Sequence, residues 1–305
     1  MQIVGSPTQP RAESACARLA SAIEEHARFS RGAVERGMQL FGPWWVSEIG
    51  ELLSRLYFDD DSLAAAVRGY AAFAMDGMRR QVRFEREGVY PSQTYDEARS
   101  AVYDNVEYMH REYLPGLLLS HLLWPHHVRM MRFFRSAFLG SDARPGAEFV
   151  EVGVGTGIYS RIALQETSWS GRGLDISAAS LDFAARHIGA FGLSARYRAV
   201  SADVMTTPVD VVDRIICVEV LEHLEEPSAM LTALRRSLRS GGRAFITAAV
   251  NAANADHIYL YRHPTEVERQ LIQAGFNVEE AFSAPAYPPP RRDLPVPVAA
   301  AFVVS

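Results

Sequence analysis

The stretch Glu148–Arg161, EFVEVGVGTGIYSR, decides how the rest of the chain is read. An apolar run ends there in glycines at alternate positions, Gly153, Gly155 and Gly157, just ahead of a helical stretch. A strand that stops in glycines brings bare backbone to its mouth, and the helix that follows offers N–H groups with no intrahelical partner. The spacing then selects among ligands. A P-loop needs lysine after its last glycine, but Gly157 is followed by Ile158 and Tyr159. The dinucleotide fingerprint G-x-G-x-x-G needs glycine at 158 or 160, where the chain has Ile158 and Ser160. Glu151, just before the turn, would oppose a pyrophosphate and attract an ammonium group. Asp175 ends the next apolar run, GRGLDIS, where a carboxylate can accept both hydroxyls of a ribose. A nucleoside with a cationic amino-acid tail suits both acids without a phosphate.

Outward from this turn the chain divides into two patterns. Downstream, AEFVEVGV, GRGLDIS, SARYRAVSADV, VDRIICVEV and GGRAFITAAV alternate with helical stretches, the spacing of β-α units in a parallel sheet. PTEVERQLIQAGFNVEEAFSA reads as a further helix and strand, PAYPPPRRDLPVP as a stiff loop, and VAAAFVVS as a last strand. Upstream, from Arg11 to about Leu139, apolar residues recur three and four apart and predict helices. Thr94 with Glu97 makes a capping-box signature. Pro115 predicts a kink or a division into two helices, Pro125 suits a first helical turn, and Gly140 closes the last helix before a linker at Ser141 to Gly146.

Composition narrows the function classes. The 305 residues are 48% hydrophobic, enough for a full-sized core, and 31 Lys+Arg against 36 Asp+Glu indicate no extended basic surface for nucleic acid. Cys16 and Cys217 are far apart and suggest neither a disulfide framework nor a metal site. No basic leader with an apolar core precedes the helices and no run of 18 apolar residues occurs, so a cytoplasmic protein without a membrane segment is expected.

In order and spacing, EVGVGTG, GLDIS, SADVM, CVEVLEHLEEP and LRSGGRAFITA resemble the motifs of the class I S-adenosylmethionine-dependent methyltransferases, of the small-molecule type. The resemblance covers roughly residues 145 to 305. It implies an α/β fold with a seven-stranded Rossmann-like methyltransferase sheet, order 3-2-1-4-5-7-6, the last strand antiparallel. It implies S-adenosylmethionine as cofactor and S-adenosylhomocysteine as product. Glu151, Gly153, Gly155 and Gly157 would then line the methionine end, Asp175 with the adjoining Ile176 the ribose, and Asp203 with Val204 the adenine. Glu219 and Val220, at the exit of the fourth strand, would line the cofactor and reaction pocket. Val154 stands where the family often has a small polar residue or cysteine. Plainer readings exist for some of these: Asp175 as a helix cap, Asp203 as a loop carboxylate.

The acceptor side is read from residues alone. His257, in NAANADHIYLYRHPTE after the fifth strand, is the candidate base, with Glu219 and His223 beside it. His223 resembles a family position that is usually structural. Asp256 cannot be assumed to orient His257, because neighbouring side chains need not face each other. Asn251, Asn254, His257 and Tyr261 are candidate substrate contacts on the ligand-bearing edge of such a sheet. So are Tyr103, Asn105, Tyr108, Tyr113 and Trp124 from the helices, though an aromatic stripe at helical spacing also suits an interhelical core. Arg291 in the proline-rich loop could meet an anionic substrate. No metal set is expected, since the adjacent His126 and His127 have no third ligand at local spacing.

Residues 1–140 are therefore expected to form an all-helical cap, with substrate-binding and possible homodimerisation roles, and residues 145–305 a catalytic domain. The expected activity is methylation of an oxygen, nitrogen or activated carbon of a small-molecule metabolite, as in specialised biosynthesis. A protein or RNA methyltransferase would call for an open basic channel, and a silent cofactor-binding scaffold for a plugged acceptor pocket.

Overall fold

The β-branched runs pair into one sheet. The computed structural model describes residues 9–90, 94–140, 145–207, 209–289 and 295–305. Its strands are β1 (Glu148–Val152), β2 (Ser170–Asp175), β3 (Tyr197–Ser201), β4 (Val212–Cys217), β5 (Leu238–Val250), β6 (Val278–Pro285) and β7 (Val298–Val304). They form a seven-stranded sheet in the order β3-β2-β1-β4-β5-β7-β6. β1 to β5 run parallel, and β7 lies antiparallel between β5 and β6, as expected. Every residue of β4 is buried, Asp213 and Arg214 along with the apolar Val212 and Ile215–Cys217, so its sequence shows no alternation of core and solvent faces. The strand order reverses between β1 and β4, so the chain leaves a crevice at their carboxyl ends, the usual ligand position in an open parallel sheet.

Alternate residues of the central strands feed two layers. Ile216 and Phe245 join one buried cluster and Ile215 and Ile246 the other. α11 (Pro227–Ser237) and α12 (Pro264–Gln273) cover the second face. α9 (Ile158–Glu166), α10 (Ala178–Ala190) and the N-terminal helices cover the first, so one continuous core crosses the proposed division between cap and catalytic domain. Residues 141–144 of the expected linker lie outside the described residues.

The upstream helices are α1 (Gln9–His26), α2 (Ala33–Phe41), α3 (Pro43–Leu56) and α4 (Asp60–Glu87), then a broken run from Tyr95. Asp59 caps the 28-residue α4 by accepting from the Ser62 N–H, and Thr94 with Glu97 forms the expected capping box on α5 (Tyr95–Ala98). Pro115 falls where one helical segment gives way to the next. The short α6 (Val106–Tyr108) and a π-helical turn, Met109–Tyr113, precede α7 (Leu114–Leu123), placing the proline in a first turn where its missing donor is not needed. Pro125 starts α8 (Pro125–Phe133) in the same way.

A buried ionic knot fastens this half to the sheet. Glu48 of α3 accepts from Arg135 at 2.7 Å and also from Arg161 of α9. Burial alone would raise the Glu48 carboxyl, but the two guanidiniums hold it below its ordinary value. Among the described residues no helix is long and apolar enough to cross a membrane.

Candidate active site

The glycine turn is shaped by two different demands. Gly153, Gly155 and Gly157 have φ of 68, 48 and 70, a left-handed region that disfavours side chains. At Gly153 an added Cβ would meet Val220 Cγ2 at 2.5 Å, so β1 and the β4 exit touch through bare backbone. At Gly157 it would meet Ala184 Cβ of α10 at 2.9 Å. Gly157 does not line the cavity described below, and its role is packing between α9 and α10. Val154 turns its side chain toward Gly173 and offers only backbone to the turn.

The acids around the turn are held by N–H groups. Asp175 takes one bond on each carboxylate oxygen, from Gly155 N–H at 3.0 Å and Ser177 N–H at 2.9 Å. The cap of α10 is Ser177, not Asp175. Glu151 is buried and accepts from both the N–H and the hydroxyl of Ser160. Burial pushes its carboxyl up to about 8 despite those bonds. Asp203 closes a turn on Met205 N–H with one oxygen.

A second group gathers where β4 and β5 end. Glu219 and Asn251, the non-glycine residues with positive φ among those described, stand just past these two strands. Strain of this kind is a mark of functional sites. Glu219 is held by Thr247 of β5, whose hydroxyl accepts from the Glu219 N–H and donates to its carboxylate, each at 2.9 Å. Desolvation pushes Glu219 up to about 7. His257 Nδ1 lies 2.6 Å from the Ala252 carbonyl, and desolvation lowers its imidazole to about 4, so it is neutral at pH 7.

Asp256 faces away from its neighbour His257 in hydrogen bonding. Its Oδ2 accepts from Tyr103 at 3.0 Å and Tyr113 at 2.7 Å, and lies 3.4 Å from His223 Nδ1. Burial by itself would raise this carboxyl, but His223, His257 and the two phenols hold it below its ordinary range. Tyr103 and Tyr113 therefore commit their hydroxyl hydrogens to the protein and not to a substrate.

One cavity of about 1200 Å³ joins the two groups. Glu151, Gly153, Gly155, Asp175, Ile176, Asp203, Val204, Glu219 and Val220 line it, together with His223, Asn254, His257, Tyr103, Tyr113 and Trp124. Four expected substrate contacts do not. Asn105 is exposed and caps a helical turn through Tyr108 N–H. Tyr108 packs on the Tyr113 ring outside the cavity. Asn251 donates to the Arg262 carbonyl, and Tyr261 is fully buried with its hydroxyl on Gln270. Arg291 lies outside the described residues. The sequence reading missed Tyr95, which lines the cavity near enough to Asp203 and Asp175 to feel their charge. It also missed Phe29, Tyr70 and Phe73, an aromatic wall whose Tyr70 hydroxyl accepts from Trp124 Nε1 at 3.0 Å.

The family model of a methyltransferase domain matches residues 150–246, which hold the glycine turn, Asp175, Asp203 and Glu219. Residues 150–246 thus form a methyltransferase domain. The chain is 31% identical over 103 residues to the ubiquinone biosynthesis O-methyltransferase of Pseudomonas fluorescens (strain SBW25), covering 33% of this chain and 44% of that protein. The corresponding enzyme of Methylococcus capsulatus (strain ATCC 33009 / NCIMB 11132 / Bath) is 32% identical over 103 residues, covering 33% and 43%. The match thus spans less than half the length of these curated relatives. Among solved structures, the mitomycin 7-O-methyltransferase MmcR superimposes with a TM-score of 0.53 at 15% identity, covering 82% of this chain and 75% of that one. At that identity the likeness concerns the fold.

Proposed function

We propose that the protein methylates a small molecule, using S-adenosylmethionine, at an oxygen, nitrogen or activated carbon. The observation that carries this reading is the continuity of the cavity: the glycine turn with Asp175 and the His223–His257 cluster open into the same space. At about 1200 Å³ it exceeds the roughly 300–1,000 Å³ of a single small-ligand pocket and has room for two reactants.

The residues fit the cofactor. Asp175 keeps free lone pairs for ribose hydroxyls, the turn at Gly153 and Gly155 admits close approach, and Glu151 offers a carboxyl to an ammonium group. The bound sulfonium supplies an electrophilic methyl group. This chain's own work is then to orient the acceptor, exclude water and manage the acceptor's proton. The aromatic wall orients and excludes. His257, His223 and Glu219 are the groups that hold or move a proton at the acceptor end. Two buried free cysteines suit a reducing compartment, and we place the protein in the cytoplasm.

The test is thermal stabilisation by S-adenosylmethionine, S-adenosylhomocysteine and NAD, followed by incubation of labelled S-adenosylmethionine with metabolite pools and mass detection of one added methylene. Stabilisation by NAD alone would overturn the reading.

A further inference from the structure

The loops that leave β4 and β5 are zipped together by backbone. The Glu222 carbonyl accepts from Ile258 N–H at 2.7 Å and from Tyr259 N–H at 2.9 Å. This brings Glu222, His223 and His257 into a cluster in which one potential ligand atom from each lies within 4.8 Å of the others. A shared cation stands about 2.0–2.2 Å from its nitrogen and oxygen ligands, so small side-chain rotations close the set around one ion.

Both imidazoles have one nitrogen committed to the backbone. His257 Nδ1 is 2.6 Å from the Ala252 carbonyl and His223 Nδ1 is 3.0 Å from the Asp256 carbonyl. A carbonyl only accepts, so each Nδ1 carries the hydrogen and each Nε2 keeps a free lone pair. An outer carbonyl that fixes the tautomer in this way is the usual support of a metal-bound histidine. Glu222 supplies the charge. It is fully buried, and neither carboxylate oxygen has a hydrogen-bond partner of normal geometry among the described residues. A buried carboxyl group left so is costly, and a cation beside it removes the cost. His223 and His257 line the cavity while Glu222 does not. The donors therefore hold an ion from the protein side and leave it open toward the cavity.

We propose that Glu222, His223 and His257 bind one divalent transition-metal cation at the acceptor end of the cavity, and that the methyl acceptor is a compound that reaches this ion through an oxygen. Two imidazoles and one carboxylate suit zinc, cobalt or iron(II) better than magnesium or calcium. With the ion bound the two imidazoles act through it and not as bases: an open position takes an oxygen donor and lowers the pKa of a bound hydroxyl, whose proton passes to Glu219 on the cavity wall. The acceptor class rests on the methyl-transfer reading; the metal site rests on the cluster itself. No local spacing in the sequence reveals it, because His257 comes from the other loop.

The experiment is titration of the chelator-treated full chain with cobalt(II) chloride. It is read by visible absorption and by metal content after desalting, with S-adenosylhomocysteine stabilisation measured on the same samples. One cobalt per chain, displaced by zinc, is expected, and Glu222→Gln and His257→Asn should each raise the cobalt Kd at least tenfold. Wild-type protein that retains no cobalt overturns the proposal, as do folded variants that bind it like wild type; if a variant does not fold, the wild-type stoichiometry decides. Cobalt bound without S-adenosylhomocysteine stabilisation leaves the metal site standing and sinks the methyltransferase reading, and the reverse result sinks the metal site alone.

Discussion

The phenol of Tyr113 donates to Oδ2 of Asp256 at 2.7 Å, joining the helical half to the loop after β5. A hydrogen bond to a charged acceptor contributes roughly 1.5–3 kcal/mol. Tyr113→Phe should lower stability by about that amount in denaturant unfolding. It should lower turnover as the loop loosens, and leave the S-adenosylhomocysteine Kd within about twofold, since the cofactor groups are elsewhere in the cavity. Tyr103→Phe should follow the same pattern more weakly, its bond being longer at 3.0 Å.

Asp175 fastens the glycine turn and faces the cavity at once. Asp175→Ala removes an acceptor for Gly155 N–H together with the expected ribose contacts. The S-adenosylhomocysteine Kd measured calorimetrically should rise at least about tenfold, equivalent to roughly 1.4 kcal/mol. Asp175→Asn should fall between the two.

Glu151 gives a pH signature. Its folded value of about 8 lies above the ordinary 4.5, so the folded state keeps a proton that the unfolded chain gives up. The associated stability is complete below pH 4.5 and is lost as pH rises toward 8. Glu151→Gln cannot titrate and still presents an acceptor to Ser160. The melting-temperature difference, variant minus wild type, should therefore grow across that window in the unliganded protein. A difference that does not change with pH would show that Glu151 is already ionised.

The glycines separate by assay. Gly157→Ala meets Ala184 at 2.9 Å in a left-handed backbone and should cost roughly 1–3 kcal/mol of stability. Gly155→Ala has no neighbour nearer than Leu117 at 3.8 Å, but it lines the cavity. It should lose cofactor affinity more than it loses thermal stability.

His257→Ala should lower turnover by about 10²-fold or more, the scale of a lost proton-managing group. S-adenosylhomocysteine stabilisation should remain. Unchanged turnover at saturating substrates would remove His257 from the acceptor site.

What the sequence made legible was local. The strand runs, the glycine spacing and the caps at Thr94 and Pro125 each depend on residues within a turn of one another, and the structure has them where the pattern put them. The acceptor end depends on pairs that are distant in sequence, such as Tyr113 with Asp256 and Glu222 with Ile258. Loop polarity alone misled. Asn251 and Asn105 look like substrate contacts, yet each spends its side chain on nearby backbone. For Asn105 a signal was present, since an asparagine three residues before Tyr108 is an ordinary helix start.

The place of β7 has a consequence for how the protein comes into being. It is the latest of the strands to be synthesised, yet it lies inside the sheet, with β5 on one side and β6 on the other. Until residues 298–304 have left the ribosome, both neighbours present unpaired edges, β5 along the very strand whose Thr247 holds Glu219. A nascent chain halted before Val298 is then a sticky intermediate and not a smaller enzyme.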